Sequence, residues 1–379
     1  MKLNDRINIL LMPTDSCNMD CVYCFNCGHT KNQGKMSIET LRRIYDITFT
    51  NFSDVTLVWH GGEPLMMGLE FYKKAIEMQK EYSGITIRNR IQTNLSLLDE
   101  KWIDFFEENR FGIGSSFDGV KNELTRGNTN KILSNSDLLD KRKINHSFIM
   151  VVSSLNIDTL IDSYLFYKEH KKNFTINMYL PTKKEDNLKL NPAKAIDSIN
   201  AFFDYWLEDK ECNIRLRYFE MFINFMLFQQ KNVCSITSCL GRWIGIKYDG
   251  EIVPCNRYFP KEYSFGNVWK YEQIDQGFES EGFIKLISES IERREKCKSC
   301  NIFDMCAGGC NNVALVEGGV SKNGGDSCKI LQGVYKHINE RMTYLKTQGQ
   351  YADLNPFVVK ALTKYNDLEQ KNISHRRQI

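Results

Sequence analysis

Thirteen cysteines, placed unevenly, constrain this 379-residue chain more than any other feature. Four lie between positions 17 and 27, none between 28 and 211, and eight between 234 and 328, with Cys212 standing between the two groups. The start of the chain is polar and charged, and the apolar runs at 9–13 and 221–228 are too short for a signal peptide core or a membrane span. The expected location is therefore the cytoplasm. In a reducing compartment, metal binding or catalysis accounts for clustered cysteines better than disulfides do. Two cysteine groups imply two metal regions. The net charge is +3, and lysines and arginines are dispersed among acids, so neither a nucleic acid nor a membrane is expected as a partner.

Between the groups the pattern is that of alternating strands and helices. Short aliphatic, β-branched or aromatic runs mark strands at 8–13, 54–60, 86–93, 111–117, 147–153 and 175–180. Helical periodicity fills 38–48, 69–82, 100–109 and 158–170. Six β–α units imply a parallel sheet curved into a partial or full barrel, a pattern shared with a doubly wound sheet. Polar motifs sit just after four of the strands. Cys17–Cys24 follows the first, Gly61-Gly62-Glu63-Pro64 the second, Gln92-Thr93-Asn94 the third and Ser116-Phe117-Asp118-Gly119 the fourth. Parallel α/β sheets bind ligands at the carboxyl ends of their strands, so the four motifs point to one site.

The expected organisation is a barrel over 1–182, a helical bridge over 183–230 with helices at 193–207 and 217–229, a cysteine-rich domain over 231–330, and a helical tail over 331–379. The cysteine-rich part is short of apolar periodicity and is expected to need metal for its fold.

Cys17, Cys21 and Cys24 are spaced C-x3-C-x2-C on one loop. A four-iron cubane normally takes four thiolates, so three local ligands leave one iron open. Tyr23 offers a flat surface beside the last ligand. A structural zinc or cluster completed by Cys27 or a distant histidine is the competing reading. In the later region Cys239 and Cys255 flank Gly250, and Cys297-x2-Cys300-x5-Cys306-x3-Cys310 precedes Cys328. With Cys234 these make eight, enough for two four-cysteine sites, although a zinc ribbon also uses paired cysteines.

The three-cysteine loop with an aromatic before its last ligand, followed by Gly-Gly-Glu-Pro after the second strand, resembles the radical S-adenosylmethionine (SAM) superfamily. The resemblance implies an α/β fold, a partial (β/α)6 barrel, and an open iron chelated by SAM, whose cleavage gives a 5′-deoxyadenosyl radical. It implies that Gly61, Gly62 and Glu63 receive the methionine amine, that Ser116 and Arg126 hold the carboxylate and ribose, that Leu180 packs on adenine, and that Asn94 belongs to the same cofactor site. The later cysteines resemble the SPASM extension of peptide-modifying radical enzymes. That implies two auxiliary [4Fe-4S] clusters, one on Cys234, Cys239, Cys255 and Cys310 and one on Cys297, Cys300, Cys306 and Cys328, three clusters in all. A peptide or protein substrate and a reductase or flavodoxin-type electron donor follow from the same resemblance.

By layout the chain is similar to anaerobic sulfatase-maturating enzymes, through Gly61–Leu65, Leu69-Glu70-Phe71 and the C-terminal cysteines. That family has an aspartate base directly after the equivalent of Cys255, where this chain has Asn256. His60 replaces a glutamine, and Asn26 a tyrosine. A carboxamide cannot take the proton. The expected function is therefore maturation of a ribosomally made peptide, with His60 as the candidate proton acceptor. Formylglycine formation is the alternative, and a non-catalytic iron–sulfur or zinc protein the second. A first strand near Asn8 leaves no room for an N-terminal leader-binding domain, so a leader is expected on the barrel surface, the C-terminal helix or a separate protein.

Overall fold

The first strand is built from residues whose side chains alternate between buried and partly exposed. In β1 (Arg6–Met12), Ile7, Ile9 and Leu11 are fully buried and their neighbours are not. Strands β2 (Asp54–Trp59), β3 (Thr86–Thr93), β4 (Gly112–Ser116) and β5 (His146–Val152) follow, pairing parallel in the order β5–β4–β3–β2–β1. Helices α1 (Ile38–Phe49), α2 (Leu69–Gln79), α3 (Glu100–Glu108), α4 (Asn122–Thr125) and α5 (Thr129–Lys141) connect them. Side-chain caps start two of these. Ser37 Oγ accepts the Thr40 N–H at 3.0 Å, and Asp99 accepts that of Trp102 at 3.0 Å.

The computed structural model describes residues 5–24, 34–181, 186–231, 233–236, 239–257, 259–322, 324–349 and 351–376. It divides into two compact units. The first comprises Met1–Phe117, Asn122–Ile149 and Ser238–Arg293, and the second Asp118–Lys121, Met150–Thr237 and Arg294–Ile379. In the first unit, Trp59, Phe71, Tyr72, Trp102 and Phe105 form a chain of edge-on aromatic contacts beneath the sheet.

The second unit takes up α6 (Leu160–Glu169), β6 (Phe174–Met178), α7 (Pro192–Glu208) and α8 (Arg217–Phe228). The chain then returns to the first unit with β7 (Trp243–Lys247), β8 (Glu251–Val253) and β9 (Gly266–Asn267). β7 runs parallel to β1, and β8 and β9 add antiparallel strands outside it. α9 (Glu281–Cys297) packs Phe283 on Phe265 and Phe278. The remaining α10 (Phe303–Cys306), α11 (Asn311–Val316), α12 (Asp326–Gln348) and α13 (Pro356–Arg376) lie in the second unit. There Phe202, Phe203 and Trp206 of α7 surround Phe219 of α8. On α12, Val334 and Ile338 are fully buried, His337 hydrogen-bonds Asp204 of α7 at 3.0 Å, and Arg341 forms an ion pair with the same carboxylate at 3.0 Å. Asn355 donates through its N–H to the Leu207 carbonyl and through its amide to that of Trp206, closing the end of α7.

Each of the six expected strands lies within two residues of its expected bounds. The units do not follow the expected boundaries at 182, 230 and 330. The free edge of β1 is covered by β7, so the first part of the cysteine-rich region belongs with the parallel sheet. The C-terminal helices are core of the second unit rather than an appendage. Helix α12 meets α7 closely at Gly333, where a Cβ would stand 2.7 Å from Ile196 Cδ1. Gly333→Val is expected to destabilise the protein by about 1–3 kcal/mol through overpacking, read as a lower urea midpoint at unchanged m.

Candidate active site

The three-cysteine loop is cinched at its base. After β1, Thr14 Oγ1 donates to the Gly34 carbonyl at 2.8 Å, Asp15 accepts the Gly34 N–H at 3.0 Å, and Met36 N–H bonds Pro13 O at 2.7 Å. The Tyr248 ring, from the turn after β7, lies so close over Gly34 that a Cβ there would be 2.1 Å away. Cys24 N–H donates to Cys21 O at 3.0 Å, and Val22 N–H donates to Thr125 O at 3.0 Å. Cys21 is buried, and Cys17 and Cys24 are half-buried. Burial raises the Cys17 thiol above its ordinary pKa, helped by the charges of Glu63 and Cys24 and opposed by the Met19 N–H and by Arg126. Cys27 lies outside the described residues.

The Gly-Gly turn after β2 is zipped onto this loop. His60 N–H donates to Leu11 O at 2.7 Å, Gly62 to Thr14 O at 3.0 Å and Glu63 to Ser16 O at 2.8 Å. No side chain fits there. A Cβ on Gly61 (φ +113°) would stand 2.3 Å from Thr14 O, and one on Gly62 2.1 Å from Ser16 O. The Glu63 carboxylate, 1% exposed, accepts from Leu65 N–H at 3.1 Å, Thr93 Oγ1 at 2.7 Å and Asn94 N–H at 2.8 Å. Burial lifts its pKa to about 7 against those donors. Among the described residues no backbone N–H donates to the Gly61 or Gly62 carbonyls.

Asn94 turns toward the cysteine loop. Its amide donates to Asn18 Oδ1 at 3.0 Å and lies 4.0 Å from Cys17 Sγ, while Ser96 links Asn94 and Asn18 by 2.6 and 2.7 Å bonds. Ser116 Oγ accepts from Gln92 at 3.0 Å. Arg126 donates to the Tyr23 hydroxyl at 2.5 Å, with its Cζ 5.7 Å from that ring. Its charge is felt by both Cys17 and Glu63, which sets a cation beside the loop. Leu180 is half-buried just beyond β6 in the second unit. Asn18, Ser96 and Tyr248 were not legible as site residues, since no motif marks them.

His60 and Asn256 meet. His60 Nδ1 accepts the Gly61 N–H at 2.8 Å, which puts the ring proton of a neutral imidazole on Nε2. Nε2 lies 3.2 Å from Asn256 Nδ2, and with the amide turned over, so that Oδ1 takes that place, the side chain accepts the Nε2 proton. Burial, with a smaller push from Arg257, holds His60 down at about 4. The imidazole is thus neutral near pH 7, with both nitrogens engaged.

In the second unit, Cys297, Cys300, Cys306 and Cys328 gather around short turns. Burial pushes the Cys306 thiol up to about 11, with further contributions from Cys328, Cys297 and Cys300, while the Gly308 N–H opposes the rise. Gln332 donates to Cys328 Sγ at 3.1 Å. Among the described residues no three His, Cys, Asp or Glu side chains are gathered as around a single metal ion. A cubane, with an iron at each ligated corner, holds its thiolates further apart. Of the other expected set, Cys239 and Cys255 lie in the first unit and Cys234 and Cys310 in the second. The Arg257 N–H points to Cys255 Sγ at 3.4 Å.

Two outcomes follow from this geometry. Gly62→Ala pushes the turn away from Ser16, and the reconstituted protein is expected to lose about four irons per chain by colorimetric assay. His60 has a folded pKa of about 4 against an ordinary 6.5, so between these values only the unfolded chain takes up its proton. Its contribution to stability is full above 6.5 and is lost as pH falls toward 4. His60→Gln is expected to flatten the slope of unfolding free energy against pH in that window by roughly one proton, measured by urea denaturation at pH 5 and 7.5.

Comparison with known proteins agrees with this geometry. Residues 11–167 match the Radical SAM superfamily, and residues 234–301 match SPASM, an iron–sulfur cluster-binding domain. A cysteine-type anaerobic sulfatase-maturating enzyme of Clostridium novyi is 27% identical over 366 residues, covering 89% of this chain and 97% of the relative. The solved structure of native anSMEcpe with bound AdoMet and Cp18Cys peptide superposes with a TM-score of 0.80 at 26% identity, covering 90% of this chain and 98% of that one. Streptococcus suis SuiB bound to precursor peptide SuiA shares the fold, with a TM-score of 0.61 at 15% identity over 84% of this chain and 74% of that one. No helix among the described residues is long and apolar enough to cross a membrane. The chain thus carries a Radical SAM domain and a SPASM domain, as SAM-dependent peptide-modifying oxidoreductases do.

Proposed function

We propose that this enzyme modifies a peptide or protein, maturing a ribosomally made peptide in the cytoplasm. Bound at the cysteine loop, a four-iron cluster and SAM supply the 5′-deoxyadenosyl radical that takes a hydrogen atom from the substrate. Cys17, Cys21 and Cys24 hold the cluster. The Gly61 and Gly62 carbonyls take the methionine ammonium, and Arg126, oriented by Tyr23, takes the carboxylate with Ser116 nearby. Asn94 spaces the cysteine loop from β3, and Leu180 is the candidate adenine contact. The SPASM cysteines hold two auxiliary clusters, and a reductase or flavodoxin-type protein donates the electron.

The observation that carries the choice of reaction is the His60–Asn256 contact. Two of the three positions at which the chain departs from sulfatase maturases, His60 and Asn256, touch each other, and the third, Asn26, lies outside the described residues. Asn256 cannot act as a base, and His60 has Nδ1 committed to Gly61 and a proton on Nε2. We therefore assign His60 a positioning role, holding the Gly-Gly turn, in place of the proton-acceptor role expected from the sequence. A pair of this kind supports hydrogen-atom abstraction without concerted deprotonation of a Ser or Cys side chain. Such abstraction suits crosslinking or a side-chain or backbone change.

The second reading is formylglycine formation, favoured by relatives that are sulfatase-maturating enzymes. One experiment separates the two. Protein reconstituted anaerobically is expected to hold about twelve irons per chain and to form 5′-deoxyadenosine from SAM under dithionite. Offered a Cys- or Ser-containing sulfatase peptide, it is expected to yield no formylglycine by mass spectrometry. Formylglycine in that assay overturns the maturase reading, and intact clusters without SAM cleavage overturn the radical one.

A further inference from the structure

Helix α12 presents a side chain to the second cysteine set that no motif announces. The helix starts at Asp326, with its first turn fixed by Glu317 accepting the Ser327 N–H at 2.8 Å. Cys328 lies in that turn, and Gln332 sits four residues on, along the same face. Its Nε2 donates to Cys328 Sγ at 3.1 Å. The helix is clamped next to this point, where Gly333 lies against Ile196. The Gln332 amide is thereby held on a rigid support.

We propose that Gln332 raises the reduction potential of the cluster held by Cys297, Cys300, Cys306 and Cys328, through its hydrogen bond to the Cys328 sulfur. The inference rests on the reading of these four cysteines as cluster ligands. A reduced cluster carries one more negative charge than its oxidised form, and that charge is shared with the ligand sulfurs. A donor aimed at a sulfur stabilises the reduced form more, so it shifts the couple upward. A second donor is built into the backbone. Ala307, Gly308 and Gly309 all take positive φ, which turns the Gly308 N–H to Cys306. The Cys328 and Cys306 sulfurs therefore each carry a donor, and the Gln332 side chain is the one a substitution removes.

The test uses the full reconstituted chain and a potentiometric titration followed by electron paramagnetic resonance. The signal of this site is the one lost in Cys297→Ala/Cys300→Ala, together with about four irons. Gln332→Leu removes the donor. At the parent midpoint, its reduced-to-oxidised ratio for that signal is expected to fall about tenfold, which is 59 mV for one electron. Gln332→Glu, isosteric and anionic, is expected to lower the ratio further, and it carries the same test should the Leu variant lose iron. The other signals stay in place. An unchanged midpoint in iron-replete variants overturns the role of Gln332. A Cys297→Ala/Cys300→Ala protein with undiminished iron overturns the underlying ligand assignment instead.

Discussion

A single buried carboxylate holds the catalytic edge of the first unit together. Glu63 joins the turn after β2 to the end of β3 through Thr93 and Asn94, and its own N–H reaches Ser16 on the cysteine loop. Burial opposes its charge, and three donors offset part of that penalty, each charge-assisted bond contributing about 1.5–3 kcal/mol. Loops of this kind are otherwise the softest part of an α/β sheet. Radical chemistry needs its reacting atoms held within a fraction of an ångström, so the rigidity has to be made locally. The Gly-Gly turn completes the device, because its two glycines let the turn and the segment after β1 approach to hydrogen-bonding distance without a side chain between them.

The first part of the cysteine-rich region is a working part of this edge. β7 covers the open side of β1, and the turn that follows lays Tyr248 over Gly34 at the far end of the cysteine loop. Past β8, Asn256 reaches His60. One stretch of chain thus stabilises the sheet, pins the loop and contacts the residue next to the Gly-Gly turn. A sheet edge needs a partner in any case. Here the partner also carries Cys239 and Cys255 at its two ends.

Much of this was readable from the sequence, for identifiable reasons. The six early strands are long or apolar enough to show their period, and the motifs announce themselves because strand ends are where a parallel sheet binds ligands. β7, β8 and β9 were not readable. They are five, three and two residues long, and short strands among glycines and cysteines carry too little periodicity. Nor did residue type reveal atomic role. Glu63 was legible as a functional carboxylate, yet which donors would claim it depends on Leu65, Thr93 and Asn94, set by the fold. Asn256 was legible as a departure, but its contact with His60, 196 positions away, was not.

That contact bears on how the active edge handles protons. A neutral imidazole has one lone pair on its ring nitrogens, and in His60 the Gly61 N–H takes it. Freeing it costs the hydrogen bond that orients the ring, about 1 kcal/mol, in surroundings that already hold the pKa near 4. Charging the ring is costlier still with Arg257 nearby. Asn256 adds no base, and Glu63, whose pKa is lifted to about 7, is enclosed by its donors. At this edge the groups that titrate near neutrality are either engaged or buried. Proton movement here is suppressed by the same hydrogen bonds that build the site. The arrangement suits chemistry in which the substrate loses a hydrogen atom, because such a step asks the protein to position and exclude water rather than to accept a proton.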